Sequence, residues 1–267
     1  MKSSPLVLVG LALSLSLPVV ADSGRTNQRQ RLLESANAVI GVELVTTFAV
    51  PRPQIPNSEA RAPVPRSRPR DVQGVVISPA GLTVVPLSQI QPTAVTPAGE
   101  KTEMAEPTFR DIKLRLPSGR EVAATLKLKL PQYDLAFLAP EISEGPAERF
   151  ECVNLQRLAK PEVLAAYYEI GRTPKALHNA SLIRSASVVS AATVEECILV
   201  SFVTTGTAIV DAEGLFLGIA TRPAVLGQTQ VSGVVPGHVL ARYASQLGEE
   251  KVAALDHVTA RSRVNDR

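Results

Sequence analysis

Tryptophan is absent, all aromatic residues together make up 4% of the chain, and there are only two cysteines and three histidines. Few aromatics mean a core of Val, Leu, Ile and Ala, which favours strands as much as helices. None of the histidines precedes position 178, and His178, His238 and His257 are scattered. No Cys-x-x-Cys or His-x-x-x-His spacing occurs, so the sequence offers no metal site, and it carries no cofactor motif. Charge of one sign is also missing. The 28 Lys and Arg against 25 Asp and Glu leave a formal charge of +3, too small to provide an electrostatic footprint for nucleic acid. With 45% apolar and 20% charged residues in 267, the chain is globular rather than disordered.

Only one apolar run is long, and it is at the N-terminus. Lys2 supplies a positive start, Leu6 to Leu17 is broken only by Gly10, Ser14 and Ser16, and Pro18 precedes a small-residue Val19-Val20-Ala21. Residues 1–21 therefore read as a cleavable signal peptide, and the expected location is periplasmic or secreted. A retained membrane anchor is the alternative, but the run is short for a span and lacks flanking charges. No transmembrane span is expected after cleavage. Export gives Cys152 and Cys197 a second meaning: in an oxidising compartment the pair can form a disulfide, in a reducing one they are buried thiols.

The rest of the chain reads as short strands. Residues 22–35 form a polar N-terminal segment, frayed or helical, and Ala38–Val50 is a β-branched first strand. Residues 51–70 hold six Pro and five Arg; because Pro denies ladder hydrogen bonds, a mobile loop is expected, either simply solvated or a basic docking tail. Val72–Ile90 reads strand, turn, strand, with Gly81 at the turn. Alternation at Ile112, Leu114 and Leu116, a Pro117-Ser118-Gly119 turn, and alternation again from Val122 to Leu130 mark a hairpin with Lys127 and Lys129 outward. Further strands are expected at Tyr133–Leu138, Phe150–Leu155, Ala165–Ile170, Leu182–Ser190, Cys197–Phe202, Thr207–Val210, Leu215–Thr221 and Val231–Val235. A helix follows Pro236 over 237–247 and stops at Gly248. This is an all-β barrel or sandwich with a terminal helix.

Six segments, in order, resemble the trypsin-like protease domain of the HtrA/Deg family. Gly74–Ile90 is similar to its Gly-[apolar]3-Ser-x-x-Gly-x-[apolar]-x-Thr-Asn-x-His-Val-Val segment. The hairpin before Asp134 resembles its x-V-x-L-x-D-G-R strand pair, and Asp134-Leu135-Ala136-Phe137-Leu138 its Asp-Leu-Ala-[apolar]-Leu. Tyr168–Pro174 resembles the Ala-Ile-Gly-Asn-Pro stretch, Val203–Ile219 the Gly-Asn-Ser-Gly-Gly-Pro nucleophile turn and the strands after it, and Val231–Leu247 the closing strand and helix. The resemblance covers roughly residues 36–247. It implies two six-stranded antiparallel β-barrels, about 36–140 and 147–236, a helix at 237–247, a charged tail at 248–267, and no C-terminal PDZ domain.

Carried across residue by residue, the catalytic triad is degenerate. Ser88 stands at the histidine position, Asp134 at the acid and Thr205 at the nucleophile; Val203, Thr204 and Gly206 replace the glycine-rich oxyanion turn. A hydroxyl cannot accept and return a proton near neutral pH, and losing the base from a serine triad costs roughly 10^6-fold in turnover. β-branched Val203 stands where an unusual φ is expected. His178 is the remaining candidate base, Lys175 a remoter one, and the alternative for each is a solvated loop residue. For Ser88, Asp134 and Thr205 the alternative to a catalytic role is a fossil polar pair and an ordinary turn threonine. The functional expectation is an exported, inactive protease homologue that binds a peptide or protein partner in the cell envelope. An active endopeptidase with a divergent triad and a purely structural envelope protein remain as alternatives.

Overall fold

The computed structural model describes residues 23–50, 64–91, 106–141, 149–194, 197–200, 203–222 and 232–248. The expected leader, most of the charged tail and residues 51–63 of the Pro/Arg-rich stretch lie outside them. Among the described residues no helix is long and apolar enough to cross a membrane.

Helix α1 (Ser23–Ala36) leads into β1 (Val39–Val50), β2 (Val64–Val76), β3 (Thr83–Pro86), the one-turn helix α2 (Leu87–Ile90), β4 (Thr108–Arg115), β5 (Glu121–Leu130) and β6 (Leu135–Pro140). These six strands close an antiparallel barrel in the order β1-β2-β3-β6-β5-β4. A second closed barrel follows, with β7 (Ala166–Arg172), β8 (Ser181–Val194), β9 (Cys197–Val200), β10 (Ala208–Val210), β11 (Phe216–Thr221) and β12 (Ser232–Pro236), ordered β10-β11-β12-β9-β8-β7. The terminal helix α3 covers residues 237–248. The all-β, double-barrel expectation is met.

Apolar side chains segregate into three clusters. One fills the first barrel around Ile40, Leu44, Val85 and Leu138, and another fills the second around Val188, Ile198, Ile209 and Leu217. The third joins the barrels, with Val84, Leu135 and Phe137 meeting Ile170, Ala208, Val210 and Ile219. Alternate residues of β3 and β6 therefore face the barrel interior and the inter-barrel seam. Both faces are buried, which is why these strands read as unbroken apolar runs rather than alternating ones. The β4–β5 hairpin forms as expected, with Gly119 at φ +84. A bulge between Leu126 and Leu128 then redirects β5, so that Leu126 packs in the barrel and Leu128 against the seam.

Three expectations are corrected. Residues 64–70 are strand, not loop. Val76 N–H donates to the Ala38 carbonyl and the β1–β2 register runs without a shift to Val50–Val64, so even-numbered residues of β2 bond β1. Pro65 and Pro69 are odd-numbered, and their missing N–H groups fall on the outer edge, where no ladder needs them. Phe150–Leu155 is not a strand but an irregular strap. Its apolar residues pack as expected, yet its backbone makes only single bonds, from Phe150 N–H to Pro79 and Val153 N–H to Val76. Cys152 and Cys197 are not joined by a disulfide: Cys152 packs against the first-barrel core and Cys197 sits in the seam cluster.

Candidate functional site

Ser88 and Asp134, expected at triad positions, lie beside the ends of the seam strands β3 and β6. Ser88 follows β3 in the single turn of α2, and Asp134 precedes β6. Asp134 adopts a left-handed conformation, φ 56, which a short polar side chain tolerates, and its carbonyl accepts from Leu87 N–H at 2.9 Å. Its carboxylate is buried and receives three donors. Ser88 N–H reaches Oδ1 at 2.6 Å, Ser88 Oγ reaches Oδ2 at 2.8 Å, and Arg222 N–H reaches Oδ2 at 3.1 Å. Burial pushes the Asp134 pKa up, and the bonds from Ser88 and Arg222 oppose that rise without cancelling it. Ser88 thus gives this carboxylate both a backbone and a hydroxyl donor.

Thr205 comes from the other barrel and meets the same region through its main chain. Its carbonyl accepts from Gln89 Nε2 at 2.6 Å and from Gln73 Nε2 at 3.4 Å. Gln73 Oε1 in turn accepts from Arg172 N–H at 2.8 Å. Gln73 and Gln89 therefore both hold the turn at Thr205, and Gln73 also holds the end of β7; neither was singled out from sequence.

The turn itself is heavily bonded. Thr204 N–H donates to Glu169 Oε1 at 2.8 Å, Gly206 N–H to the Ala220 carbonyl at 2.7 Å, and Thr207 N–H to the Thr204 carbonyl at 3.3 Å. Gly206 takes φ +93, and a Cβ there would lie 3.1 Å from Gln73. Val203 is not among the residues with positive φ; it packs into the second-barrel core instead, so the β-branch is accommodated without strain. Glu169, only 2% exposed, is held by Arg184 with both oxygens 2.8 Å from Nη2. This places a buried carboxylate against the Thr204–Gly206 turn.

His178 is exposed at the end of a short 3-10 turn, and no contact among the described residues joins it to Thr205. Lys175 donates to Glu43 Oε2 at 3.0 Å and is committed there. His238 is exposed at the start of α3, and His257 lies outside the described residues. No group of His, Cys, Asp and Glu among the described residues is suited to hold a metal ion.

Between the barrels, beside Ser88, runs a cleft of about 520 Å³. It follows the free edge of β2, whose β3 partner pairs only Val75 and Val76. Arg68, Arg70, Gln73, Ser88, Gln89 and Arg172 are among the residues that line it.

The topology and this site together decide the fold. It is the trypsin-like double barrel. A variant of the HtrA-type protease AlgW, solved with a decapeptide, aligns with a TM-score of 0.56 at 19% identity, covering 83% of this chain and 67% of that one. The apo protease domain of MamO from Magnetospirillum magneticum aligns at 18% identity and a TM-score of 0.49, covering 79% of this chain and 97% of that one. No protein-family model and no curated protein sequence matches the chain.

Proposed function

We propose that this chain is an exported, catalytically inactive homologue of trypsin-like proteases that works by holding an extended peptide or protein segment in its inter-barrel cleft. The observation that carries the reading is the Ser88–Asp134 pair. The Ser88 hydroxyl, at the expected base position, donates a hydrogen bond to the acid at 2.8 Å and has no means of taking a proton from Thr205 near neutral pH. Glu169 beside Thr204 adds negative charge where an oxyanion would form. The outer edge of β2 offers the Asp71 main-chain groups and the Pro69 carbonyl to an extended segment, and the similar AlgW variant was solved with a decapeptide. A partner in the cell envelope follows from the expected leader.

The test is a fluorophosphonate serine-hydrolase probe together with a fluorogenic protein substrate, applied to the purified mature chain. Neither labelling nor hydrolysis above background is expected. Labelling that disappears in Thr205→Ala or His178→Ala would establish an active endopeptidase and defeat the reading.

A further inference from the structure

The charges lining the cleft do not balance. Asp71 is paired with Arg115, and Glu43 with Lys175, so the acids on this side of the first barrel are already satisfied. Arg172 spends its guanidinium on three carbonyls, those of Ala36, Val39 and Asn179, and keeps its charge uncompensated. Arg68 and Arg70 stand two residues apart on the same face of β2 and line the cleft with Ser88 and Gln89. Neither has a carboxylate partner among the described residues, and Arg70 Nε is buried without any hydrogen-bond acceptor. Burial and the neighbouring Arg68 both disfavour the charge on Arg70. Two adjacent guanidinium groups without a counter-ion are a strained arrangement that an incoming anion relieves.

Arg115, which pairs Asp71, packs against Gly41 of the cleft wall without itself lining the cleft. It is 5% exposed, yet its Nε and Nη1 have no hydrogen-bond acceptor, although Glu43 Oε2 lies 4.0 Å from Nη1. Arg115 and Gln73 flank Gly41 in register across β4, β1 and β2. A Cβ on Gly41 would meet Arg115 Nη2 at 3.2 Å and Asn179 Oδ1 at 3.4 Å. The glycine leaves the guanidinium room to lie against the cleft wall.

The edge of β2 supplies the other half of the recognition. Because even-numbered residues bond β1, the Asp71 main-chain groups and the Pro69 carbonyl point away from it, on the side where the cleft runs, whereas the Gln73 carbonyl already faces Gly206, where an added Cβ would lie 3.2 Å from it. We propose that the cleft takes an acidic extended peptide segment, laid along the β2 edge, with Arg68 and Arg70 reading its carboxylates. The proposal rests on the peptide-binding reading and adds the class of partner. Side chains of an extended peptide alternate, so carboxylates two residues apart fall on one face and match two arginines with the same spacing.

The experiment measures fluorescence anisotropy of two labelled decapeptides with the full mature chain at low salt. One peptide carries Glu at alternate positions, and the other has Gln at each of those positions. The acidic peptide is expected to bind about tenfold more tightly, with the difference shrinking as salt is raised. Arg68→Gln with Arg70→Gln should erase the difference while circular dichroism shows an unchanged fold. Arg68→Glu with Arg70→Glu should transfer the preference to a peptide with Lys at the alternate positions. Equal binding of both peptides to the unaltered chain overturns the acidic preference and leaves the peptide-binding reading standing. A preference that survives both double substitutions overturns the assignment to Arg68 and Arg70. Binding of neither peptide by a folded chain overturns the peptide-binding reading, and the proposal with it.

Discussion

Ser88 holds Asp134 twice, through its backbone N–H to Oδ1 at 2.6 Å and through its hydroxyl to Oδ2 at 2.8 Å. In a working triad the second of these bonds would come from an imidazole. Here the hydroxyl donates to the acid, and the pair joins the end of β3 to the start of β6.

Ser88→Ala removes one donor from a buried carboxylate and keeps the backbone bond. A charge-assisted bond of this kind is worth about 1.5–3 kcal/mol, and urea denaturation at neutral pH should show a loss near the lower end. The loss should shrink on acidification, because a protonated Asp134 needs the donor less. A loss independent of pH would mean that Ser88 stabilises the turn by some route other than the carboxylate.

Asp134→Asn tests the raised pKa directly. The folded chain holds the Asp134 proton more tightly than the unfolded chain, whose carboxylate titrates near its ordinary value of 3.8. Between that value and the raised folded one, the folded state binds more protons, so its stability falls as pH rises through the interval and levels off above it. Subtracting the stability profile of Asp134→Asn from that of the unaltered chain should leave this falling step. A step that rises with pH would show that the hydrogen bonds outweigh burial.

The Glu169–Arg184 pair should behave as a coupled unit. Arg184→Ala leaves a carboxylate that is 2% exposed with the Thr204 N–H but without its guanidinium. Breaking a buried pair costs about 3–5 kcal/mol; Arg184 is itself 48% exposed, so about 2 kcal/mol is the expected loss. Adding Glu169→Gln to Arg184→Ala should recover most of it, since the amide keeps an acceptor for Thr204 without a charge to compensate. Additive losses in this double-mutant cycle would mean that the contact does not couple the two residues.

The sequence made the double barrel and the convergence of Ser88 with Asp134 legible because both depend on short segments with strong local signals. A strand, an apolar seam and a triad position lie within a few residues of one another in Thr83–Ser88 and again in Asp134–Leu138. The strand at 64–70 was hidden because proline was read as excluding a ladder, when what matters is which edge each proline faces. Phe150–Leu155 has the composition of a strand, and only its lack of a continuous neighbouring strand makes it a strap. The polar network was out of reach for another reason. Gln73 and Arg172 are 99 residues apart and Gln89 and Thr205 are 116 apart, and nothing local in either segment signals the partner. The unbalanced arginines became visible only after the acids beside them were seen to be paired.

Placing a histidine at position 88 and a serine at position 205 is not expected to confer proteolysis. Ser88→His with Thr205→Ser would return an imidazole to Asp134 and a serine to the nucleophile position. The turn between Val203 and Gly206 would remain as it is, with Val203 packed in the core, Thr204 N–H bound to Glu169, and the residue-205 carbonyl held by Gln89 and Gln73. An oxyanion developing beside Glu169 would meet a carboxylate only partly offset by Arg184. A single missing oxyanion donor already costs roughly 10^2–10^3-fold in kcat, and here the local charge opposes the reaction as well. The double variant is therefore expected to stay at background with a fluorogenic protein substrate and to resist fluorophosphonate labelling. Robust labelling would show that the turn is competent, and would leave only the residues at 88 and 205 to explain any lack of activity in the unaltered chain.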